Sequence, residues 1–223
     1  MKIYVGHDSR EDIAYQVCEH SIKRRDPSAE VIPLKQKQMR DQGLYTRPVD
    51  KLASTEFTFT RFFVPYMNDF KGWAVFCDSD MVFLTDANNL FANLDTTKAV
   101  YCVQHDYNPP EGLKMDGQAQ LQYPRKNWSS MMIFNNAKCT ALSPDYVNSA
   151  TGLELHQFKW LESEDLIGNL GVEWNHLVGE YEYSKNAKLV HYTEGGPYFK
   201  NYKDCHYADE WFDTFKESTQ IDL

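Results

Sequence analysis

An apolar run that stops at two aspartates and then resumes places the strongest limit on how this chain can fold. It covers residues 73–84 and reads Trp-Ala-Val-Phe-Cys-Asp-Ser-Asp-Met-Val-Phe-Leu. Its first five residues predict a fully buried strand, because a short, continuous apolar run with aromatic and β-branched members is typical of such strands. Asp78 and Asp80 then fall at the end of that strand. Ligands of α/β proteins bind at this edge of the sheet.

Asp78 and Asp80 are therefore candidate metal ligands. Two like charges held close together raise each other's pKa unless they are solvated or neutralised. A divalent cation such as Mn²⁺ or Mg²⁺ neutralises them well, since it accepts oxygen ligands and completes its shell with phosphates and water. The alternative is a plain surface turn, because Asp and Ser are common turn residues. The buried strand before the pair and the apolar run after it favour the metal site.

The start of the chain predicts a β-α-β unit. Residues 2–6 are typical of a strand that ends in glycine, a helix with apolar residues at helical spacing starts near Arg10, and residues 29–34 predict a second strand. Ser9, together with Asp12, can cap the helix. This order implies a parallel sheet, so the predicted fold class is α/β, with a central, mostly parallel sheet flanked by helices.

Gly6, His7 and Asp8 form the loop at the carboxyl end of the first strand, where a nucleotide would lie. Asp8 either accepts a hydrogen bond from a ribose or base, or caps the helix that follows. The loop lacks the Gly-x-Gly-x-x-Gly pattern, so the sequence does not support a dinucleotide site.

Composition narrows the class of protein. The chain of 223 residues can bury a substantial core, and it shows no repeat or linker that would divide it. A net charge of −9 argues against a nucleic acid or an anionic membrane as the main partner. The five cysteines are odd in number and widely spaced, which favours buried free thiols over a disulfide framework. We find no secretory signal and no run that could span a bilayer, so we expect a cytoplasmic protein without an integral membrane segment.

Two polar features in the middle of the chain supply candidate ligand-binding residues. Residues 54–67 predict a helix, in which Arg61 is a lone cation among aromatic side chains. Arg61 can reach a phosphate or a metal-site carboxylate, and its alternative is a partly buried ion pair. Asn127, Ser129 and Ser130 precede a predicted buried strand at residues 131–134. Small polar side chains there suit the recognition of hydroxyl groups, although a plain turn needs no ligand.

Other segments are polar or irregular. Residues 35–53 predict an irregular stretch, and residues 105–122 predict a loop, rich in Pro and Gly, that can fold over a ligand. Glu164 and Asp165 lie in an acidic run, which is usually a solvated face. The apolar residues that follow directly also allow one of these two carboxylates to point inward.

The late part of the chain adds a nitrogen ligand. His191 lies in a predicted strand, residues 188–192, and can bind the same cation as the two aspartates. The alternative is a structural histidine at a strand end. Gly195 and Gly196 form a turn whose bare backbone can approach a diphosphate.

Together these features resemble the GT-A-type glycosyltransferases of the retaining, glycogenin- and galactosyltransferase-like family eight. The resemblance rests on the β-α-β opening, the Asp-x-Asp after a buried strand and the late His before a Gly turn, and it covers nearly the whole chain. The chain is similar above all to compact bacterial or phage-type members. The shared segments are Asp-Ser-Arg-Glu, Ser-Thr-Glu-Phe-Thr-Phe-Thr-Arg-Phe, Arg-Lys-Asn-Trp-Ser-Ser and Glu-Trp-Asn-His-Leu-Val-Gly.

The resemblance implies a Mn²⁺ or Mg²⁺ ion bound by Asp78, Asp80 and His191, and a nucleotide-diphosphate sugar as donor, by default a UDP-sugar. It implies a single GT-A domain over residues 1–223, with a nucleotide-binding half, 1–105, and an acceptor-binding half, 106–223. It also implies a donor site that includes Gly6, His7, Asp8, Arg61, Ser79, Asn127, Ser129, Ser130, Gly195 and Gly196.

The chain departs from the family pattern in two places. The usual His-x-x-Gly-x-x-Lys-Pro-Trp ending reads His-Tyr-Thr-Glu-Gly-Gly-Pro-Tyr over residues 191–198, so the lysine that binds the diphosphate is missing. The usual Asp-Gln-Asp before the acceptor helix reads Ser-Glu-Asp over residues 163–165, which leaves the sugar contact and any nucleophile open.

The predicted reaction is metal-dependent transfer of a sugar from the donor to a hydroxyl group of a saccharide or other acceptor, with retention of configuration. With retention, the acceptor enters on the leaving-group face and a phosphate oxygen can take its proton. The alternative is a double displacement with Glu164 or Asp165 as nucleophile, and in an inverting enzyme one of these two would be the general base. One alternative is a haloacid-dehalogenase-like phosphohydrolase that uses Asp78 and Asp80, although that class usually begins with the aspartate strand. The other is a non-catalytic binder of nucleotide sugars, which the missing lysine keeps open.

Overall fold

The computed structural model of the protein describes residues 2–49, 53–106 and 124–219, and the backbone of residues 112–113 and 119–120. The strands are β1 (Lys2–His7), β2 (Glu30–Lys35), β3 (Trp73–Cys77), β4 (Met81–Phe83), β5 (Val100–Cys102), β6 (Gly112–Leu113), β7 (Ala119–Gln120), β8 (Met131–Asn135), β9 (Ile167–Asn169), β10 (His176–Leu177) and β11 (Leu189–His191). The α-helices are α1 (Asp12–Lys23), α2 (Gln36–Asp41), α3 (Val64–Met67), α4 (Pro144–Ser149), α5 (Gly152–His156) and α6 (Ala208–Ser218). Short 3₁₀ helices cover Thr60–Phe63, Ala87–Phe91, Trp128–Ser130, Asn136–Lys138, Glu164–Leu166 and Val172–Trp174.

A six-stranded sheet in the order β2-β1-β3-β8-β5-β9 forms the centre of the fold. β1 pairs in parallel with β2 and β3, and β5 pairs in parallel with β9. β8 is antiparallel to both of its neighbours, β3 and β5. Within this sheet, β8 therefore runs against the other five strands, and the predicted α/β fold with a mostly parallel sheet is confirmed.

Both faces of the central sheet are covered by apolar side chains. On β3, Ala74 and Phe76 pack into one hydrophobic cluster, and Val75 and Cys77 pack into the other. This alternation follows from the period of two in a strand, and it requires cover on both sides. α1 covers one face, and the aromatic segment 57–63, with α4 and α5, covers the other. The buried strand predicted at the start of the apolar run 73–84 is confirmed as β3.

A second, three-stranded sheet brings the late histidine to the Asp-Ser-Asp turn. β4 follows Asp80 directly and pairs antiparallel with β11, so that Met81 lies opposite His191. β10 pairs in parallel with the other side of β11. The backbone N–H of Tyr192 donates to the carbonyl oxygen of Asp80 at 2.9 Å. This register places His191 next to Asp80, although the two lie far apart in the sequence.

The first helix begins later than the sequence predicts, at Asp12 rather than near Arg10. Ser9 does not cap it, because its N–H and hydroxyl group donate to Glu56 at 3.0 and 2.8 Å. Asp8 does not cap it either, since its carboxylate accepts hydrogen bonds from Arg10 and from the backbone N–H of Glu56. The predicted Ser9 cap is therefore wrong, and of the two alternatives for Asp8 the helix cap is excluded, because Glu56, distant in the sequence, takes part in both arrangements.

The prediction was also wrong in part for the segment before β3. Residues 35–53, predicted as irregular, include α2. Residues 54–67, predicted as one helix, form turns followed by a 3₁₀ helix and the short α3. The predicted loop 105–122 lies mostly outside the described residues, although the backbone of β6 pairs with that of β7.

Two features bear on what the composition predicts. Cys18, Cys77, Cys102 and Cys139 are buried, Cys205 is partly exposed, and all are free thiols, which confirms the prediction against a disulfide framework. In the described part of the chain, no helix has both the length and the apolarity that a membrane span requires.

Candidate functional site

Asp78, Asp80 and His191 lie together at the carboxyl ends of β3 and β11, and we call them the Asp-Asp-His cluster. Each offers one ligand atom, and the three atoms lie within 4.8 Å of one another. Nε2 of His191 lies 3.3 Å from Oδ1 of Asp80. His191 is buried, as is Ser79 between the two aspartates. Two carboxylates and one imidazole at these distances form a donor set that suits a divalent cation.

Asn175 determines which nitrogen of His191 carries a proton. Nδ2 of Asn175 donates to the hydroxyl oxygen of Ser130 at 2.8 Å and to the carbonyl oxygen of Asn127 at 3.4 Å. The Ser130 hydroxyl group itself donates to that carbonyl oxygen at 2.7 Å. Oδ1 of Asn175 therefore faces Nδ1 of His191, at 3.0 Å, and accepts its proton in a hydrogen bond. In the neutral ring, Nε2 then presents its lone pair toward Asp80, which is the tautomer that binds a metal.

Arg61 meets the first aspartate of the cluster. Its Nη1 lies 2.9 Å from Oδ1 of Asp78 and donates to the carbonyl oxygen of Ser129 at 2.8 Å. Its guanidinium group also lies over the rings of Phe57 and Phe76. Only 5 % of Arg61 is exposed. Arg61 thus forms a largely buried ion pair with one carboxylate of the Asp-Asp-His cluster, and its contact with a phosphate stays a prediction.

His156, whose ring packs against that of Phe62, supports this arrangement through Ser129. Nδ1 of His156 lies 2.7 Å from the hydroxyl oxygen of Ser129. Burial, reinforced by the nearby positive charge of Arg61, lowers the pKa of His156 to about 3, so the ring is neutral at physiological pH. Sequence analysis missed this residue. His156 ends the short helix α5, and a single histidine there carries no sequence pattern that would identify it.

The small polar residues predicted to recognise hydroxyl groups are hydrogen-bonded within the protein. Nδ2 of Asn127 donates to the hydroxyl oxygen of Thr193 at 3.4 Å. Ser129 contacts His156, and Ser130 bonds the carbonyl of Asn127. These bonds give each side chain a structural role, and contact with a sugar stays a prediction.

The predicted nucleotide loop lies at the carboxyl end of β1. At Gly6, a Cβ atom would lie 2.5 Å from the ring of Phe57, so packing alone requires glycine there. Nε2 of His7 lies 2.9 Å from Oδ1 of Asp12, in the first turn of α1. The loop is therefore fixed by local contacts, and its contact with a nucleotide stays a prediction.

Asp8 is buried and bonded on both carboxylate oxygens. Oδ1 accepts from Nε of Arg10 at 2.9 Å, and Oδ2 accepts from Nη2 of Arg10 at 2.6 Å and from the N–H of Glu56 at 3.1 Å. Burial alone would raise the pKa of Asp8, but the hydrogen bonds from Arg10 and Glu56 outweigh it and hold the pKa below its usual value. Asp8 is thus ionised and held in place beside the predicted nucleotide position.

Tyr198 joins the late turn to the start of α1. Its hydroxyl group donates to Oε2 of Glu11 at 2.5 Å. Burial raises the pKa of Glu11, and the negative charges of Asp80 and Asp8 raise it further, although the bond from Tyr198 acts in the opposite direction. Glu11 therefore lies within electrostatic reach of the Asp-Asp-His cluster. Sequence analysis missed Glu11 as a site residue, and the motif Asp-Ser-Arg-Glu that contains it was the available signal.

Backbone conformation favours glycine at position 195, and side-chain packing requires it at position 196. Gly195 has a φ of +138°, and its N–H donates to the carbonyl oxygen of Tyr192 at 2.8 Å. A Cβ atom on Gly196 would overlap the ring of Tyr198. The turn is therefore packed closely against Tyr198, and contact between its backbone and a diphosphate stays a prediction.

The two predicted catalytic acids, Glu164 and Asp165, lie on an exposed 3₁₀ turn. The carboxylate of Glu164 pairs with Arg125, and the Glu164 side chain is 79 % exposed. The carbonyl oxygen of Asp165 accepts from Nζ of Lys98 at 2.7 Å. This turn precedes β9, whereas Asp78 follows β3, a strand of the same direction. The structure therefore does not group these acids with the Asp-Asp-His cluster, and their catalytic role stays a prediction.

Comparison with known proteins identifies a relative. No family model matches the chain. The chain is 48 % identical over 224 residues to Protein CDI of Arabidopsis thaliana, and the match covers 97 % of this chain and 86 % of that protein.

Solved glycosyltransferase structures share the fold. The bifunctional glycosyltransferase WbbM, in its apo form, superposes with a TM-score of 0.62 at 15 % identity, over 96 % of this chain and 49 % of WbbM. GlyE of Streptococcus pneumoniae TIGR4 gives 0.61 at 13 % identity, over 99 % of this chain and 60 % of GlyE. The galactosyltransferase LgtC, in complex with donor and acceptor sugar analogues, gives 0.61 at 10 % identity, over 99 % of this chain and 97 % of LgtC. The chain spans about half of WbbM and three fifths of GlyE, and at these identities the likeness shows the fold.

Proposed function

The chain belongs to the same family as Protein CDI of Arabidopsis thaliana, and from this premise and its fold we propose that it is a metal-dependent glycosyltransferase. It moves a sugar from a nucleotide-diphosphate sugar, by preference a UDP-sugar, to a hydroxyl group of a saccharide or other acceptor. We further propose membership of family eight and retention of configuration, as the sequence motifs imply. The Asp-Asp-His cluster carries the proposal, because two carboxylates and an imidazole meet where strands of the sheets end, the region in which α/β proteins bind their ligands.

The residues of the cluster fit a divalent cation. Asn175 fixes His191 as the tautomer whose Nε2 can bind, and Asp80 faces that nitrogen. A neutral Nε2 and a carboxylate oxygen 3.3 Å apart repel each other unless a proton or a cation lies between them. When bound, Mn²⁺ or Mg²⁺ supplies positive charge that stabilises the nucleoside diphosphate as it leaves.

Side chains of this protein hold the remaining parts in place. Arg61 orients Asp78, and the Ser129–His156 pair fixes the backbone that Arg61 binds. Backbone N–H groups of the late turn, other than that of Gly195, which already donates to Tyr192, would contact the diphosphate in place of the missing lysine. In the reaction, the acceptor oxygen bonds to the anomeric carbon as the bond from that carbon to the diphosphate breaks. The electron pair leaves with the diphosphate, and the acceptor proton moves to a phosphate oxygen or a carboxylate.

The phosphohydrolase alternative requires Asp78 as a nucleophile. Arg61 lies 2.9 Å from Oδ1 of Asp78, and this buried pairing favours a role in holding charge over a role in attack. A complete β-α-β unit also precedes β3. These observations support the transferase.

A thermal-shift experiment tests the proposal. The protein is melted with UDP-, GDP-, ADP- and dTDP-sugars, with and without Mn²⁺, as wild type and as Asp80→Ala. A ligand that binds only the folded state adds about 2.7 kcal/mol at a hundredfold its Kd, so we expect a clear rise in Tm. The rise should depend on Mn²⁺, occur with one nucleotide family and disappear in Asp80→Ala.

Asp213→Ala is the matched control, because Asp213 is exposed on α6 and pairs only with Lys216 among the contacts recorded for it. It should keep the full shift. A protein that melts cooperatively but shifts with none of the nucleotide sugars would contradict the proposed function.

A further inference from the structure

Glu180 has a buried oxygen atom that lacks a hydrogen-bond partner. In the described part of the chain, no donor lies within hydrogen-bond distance of its Oε1, which is also hidden from solvent. A buried carboxylate oxygen without a partner costs free energy, and native proteins rarely contain one without a reason. Glu180 belongs neither to the Asp-Asp-His cluster nor to the hydrophobic clusters of the core.

The position of Glu180 follows from the pairing of β10 with β11. Leu177 lies opposite His191, and the N–H of Val178 donates to the carbonyl oxygen of His191 at 2.9 Å. The chain then turns at Gly179, which has a φ of +91°, and reaches Glu180. His191, a candidate metal ligand, and Glu180 therefore lie on neighbouring segments of the chain.

Charged groups from two other segments surround Glu180. A Cβ atom built on Gly179 would lie 3.1 Å from Oε2 of Glu194, which places that carboxylate against the same turn. Burial raises the pKa of Glu180, and the charge of Glu194 raises it further, whereas Lys126 lowers it. Lys126 is buried and precedes Asn127, whose amide reaches Thr193. Segments 126–127, 178–181 and 191–194 thus meet at one side of the cluster.

We propose that Glu180 binds the acceptor, by accepting a hydrogen bond from a hydroxyl group of a saccharide or polyol. The inference rests on the proposed function and deepens it. A hydroxyl group can donate a hydrogen bond to Oε1 of Glu180, whereas an ionised phosphate oxygen has no proton to donate. Oε1 of Glu180 therefore suits a hydroxyl group of the neutral acceptor rather than a phosphate oxygen of the donor.

The test compares Glu180→Gln and Glu180→Ala with Glu182→Gln, an exposed glutamate on the same segment. Donor binding is measured by the Mn²⁺-dependent shift in Tm. Transfer is measured as initial rate against concentration for glycerol and a series of free mono- and disaccharides. We expect both Glu180 variants to keep the donor shift. Glu180→Ala should lose about 10- to 100-fold in kcat/KM for the acceptor, the effect of one hydrogen bond to a charged group, and Glu180→Gln, whose amide oxygen still accepts a hydrogen bond, should lose less. Glu182→Gln should match the wild type.

Four results would overturn the inference. The first is an unchanged kcat/KM for the acceptor in both Glu180 variants of an active enzyme, and the second is loss of the donor shift in Glu180→Gln. The third is a large fall in the Tm of ligand-free Glu180→Gln, which would show that the carboxylate serves the fold. The fourth is donor hydrolysis by the wild type without transfer to any member of the series. If the wild type neither binds nor consumes a donor, the proposed function itself fails, and this inference with it.

Discussion

Two pairs of acidic side chains look alike in the sequence and differ in the structure. Asp78 and Asp80 follow β3, and Glu164 and Asp165 precede β9. The first pair lies with His191 and is held by Arg61 and by the backbone of the second sheet. The second pair lies on an exposed turn, where Glu164 contacts only the side chain of Arg125 among the partners recorded for it.

The difference comes from the direction of the strands. β3 and β9 run in the same direction. Residues after β3 therefore lie beyond the carboxyl ends of these strands, and residues before β9 lie beyond their amino ends. Ligands of α/β proteins bind beyond the carboxyl ends of the strands. An acidic pair after an apolar run is therefore a stronger indication of a site than an acidic pair before one.

We expect the largest effect on stability from replacing Arg61, whose guanidinium group pairs with Asp78 of the first acidic pair. In Arg61→Ala, Asp78 would remain largely buried without its partner, so we expect the free energy of unfolding to fall by about 3–5 kcal/mol in a denaturant titration. Arg61→Lys should cost less, because one ammonium group replaces only part of the guanidinium contacts. Adding Asp78→Asn to Arg61→Ala should restore part of the loss. A loss below 1 kcal/mol would mean that the cluster tolerates change as a surface turn does.

Several strands of the central sheet were predictable, because they are short apolar runs bounded by turn residues. β3 and β8 are the clearest cases, and residues 73–77 and 131–134 were predicted almost to the residue. The start of α1 was not predictable, because Glu56, far along the chain, takes the hydrogen bonds of Ser9 that a local capping pattern assigns to the helix.

The same limit applies to the candidate site. Asp78, Asp80 and His191 were predictable from a strand-end pattern and a family resemblance. Asn175 and His156 were not predictable, because each acquires its role from a partner on another segment. Asn175 meets His191 through the pairing of β10 with β11, and His156 meets Ser129 through the packing of α5. Glu180 was missed for the same reason.

The second prediction concerns the orientation of His191. Asn175→Ala removes the oxygen that accepts from Nδ1, so the ring loses both its fixed tautomer and its fixed position. We expect Mn²⁺ to bind about 10- to 100-fold more weakly, the usual effect of removing such a supporting group. Free Mn²⁺ is measured by electron paramagnetic resonance. Asn186→Ala, at an exposed position, should bind Mn²⁺ as the wild type does. If Asn175→Ala and Asn186→Ala bind Mn²⁺ with equal affinity, Asn175 has no role in metal binding.

The third prediction concerns pH. The pKa of His156 is about 3 in the folded protein and 6.5 in the unfolded chain, so below pH 6.5 the unfolded chain binds the extra proton. Stability from this residue is therefore complete above pH 6.5 and is lost as the pH falls, by about 2 kcal/mol at pH 5. His156→Asn should flatten this part of the stability curve, and the exposed His206→Asn should leave it steep. Parallel curves for the wild type and His156→Asn would contradict the assignment.

The smallest effect on stability is expected at the second acidic pair. Glu164 is mostly exposed and Arg125 keeps other partners, so Glu164→Gln should lower the free energy of unfolding by only about 0.2–1 kcal/mol. The same variant, with Asp165→Asn beside it, tests the predicted catalytic role once a donor is known. A large fall in kcat with an unchanged donor shift would show that the exposed turn takes part in the reaction. The contrast between the two acidic pairs would then describe only the ligand-free protein, because the turn would have to approach the cluster during catalysis.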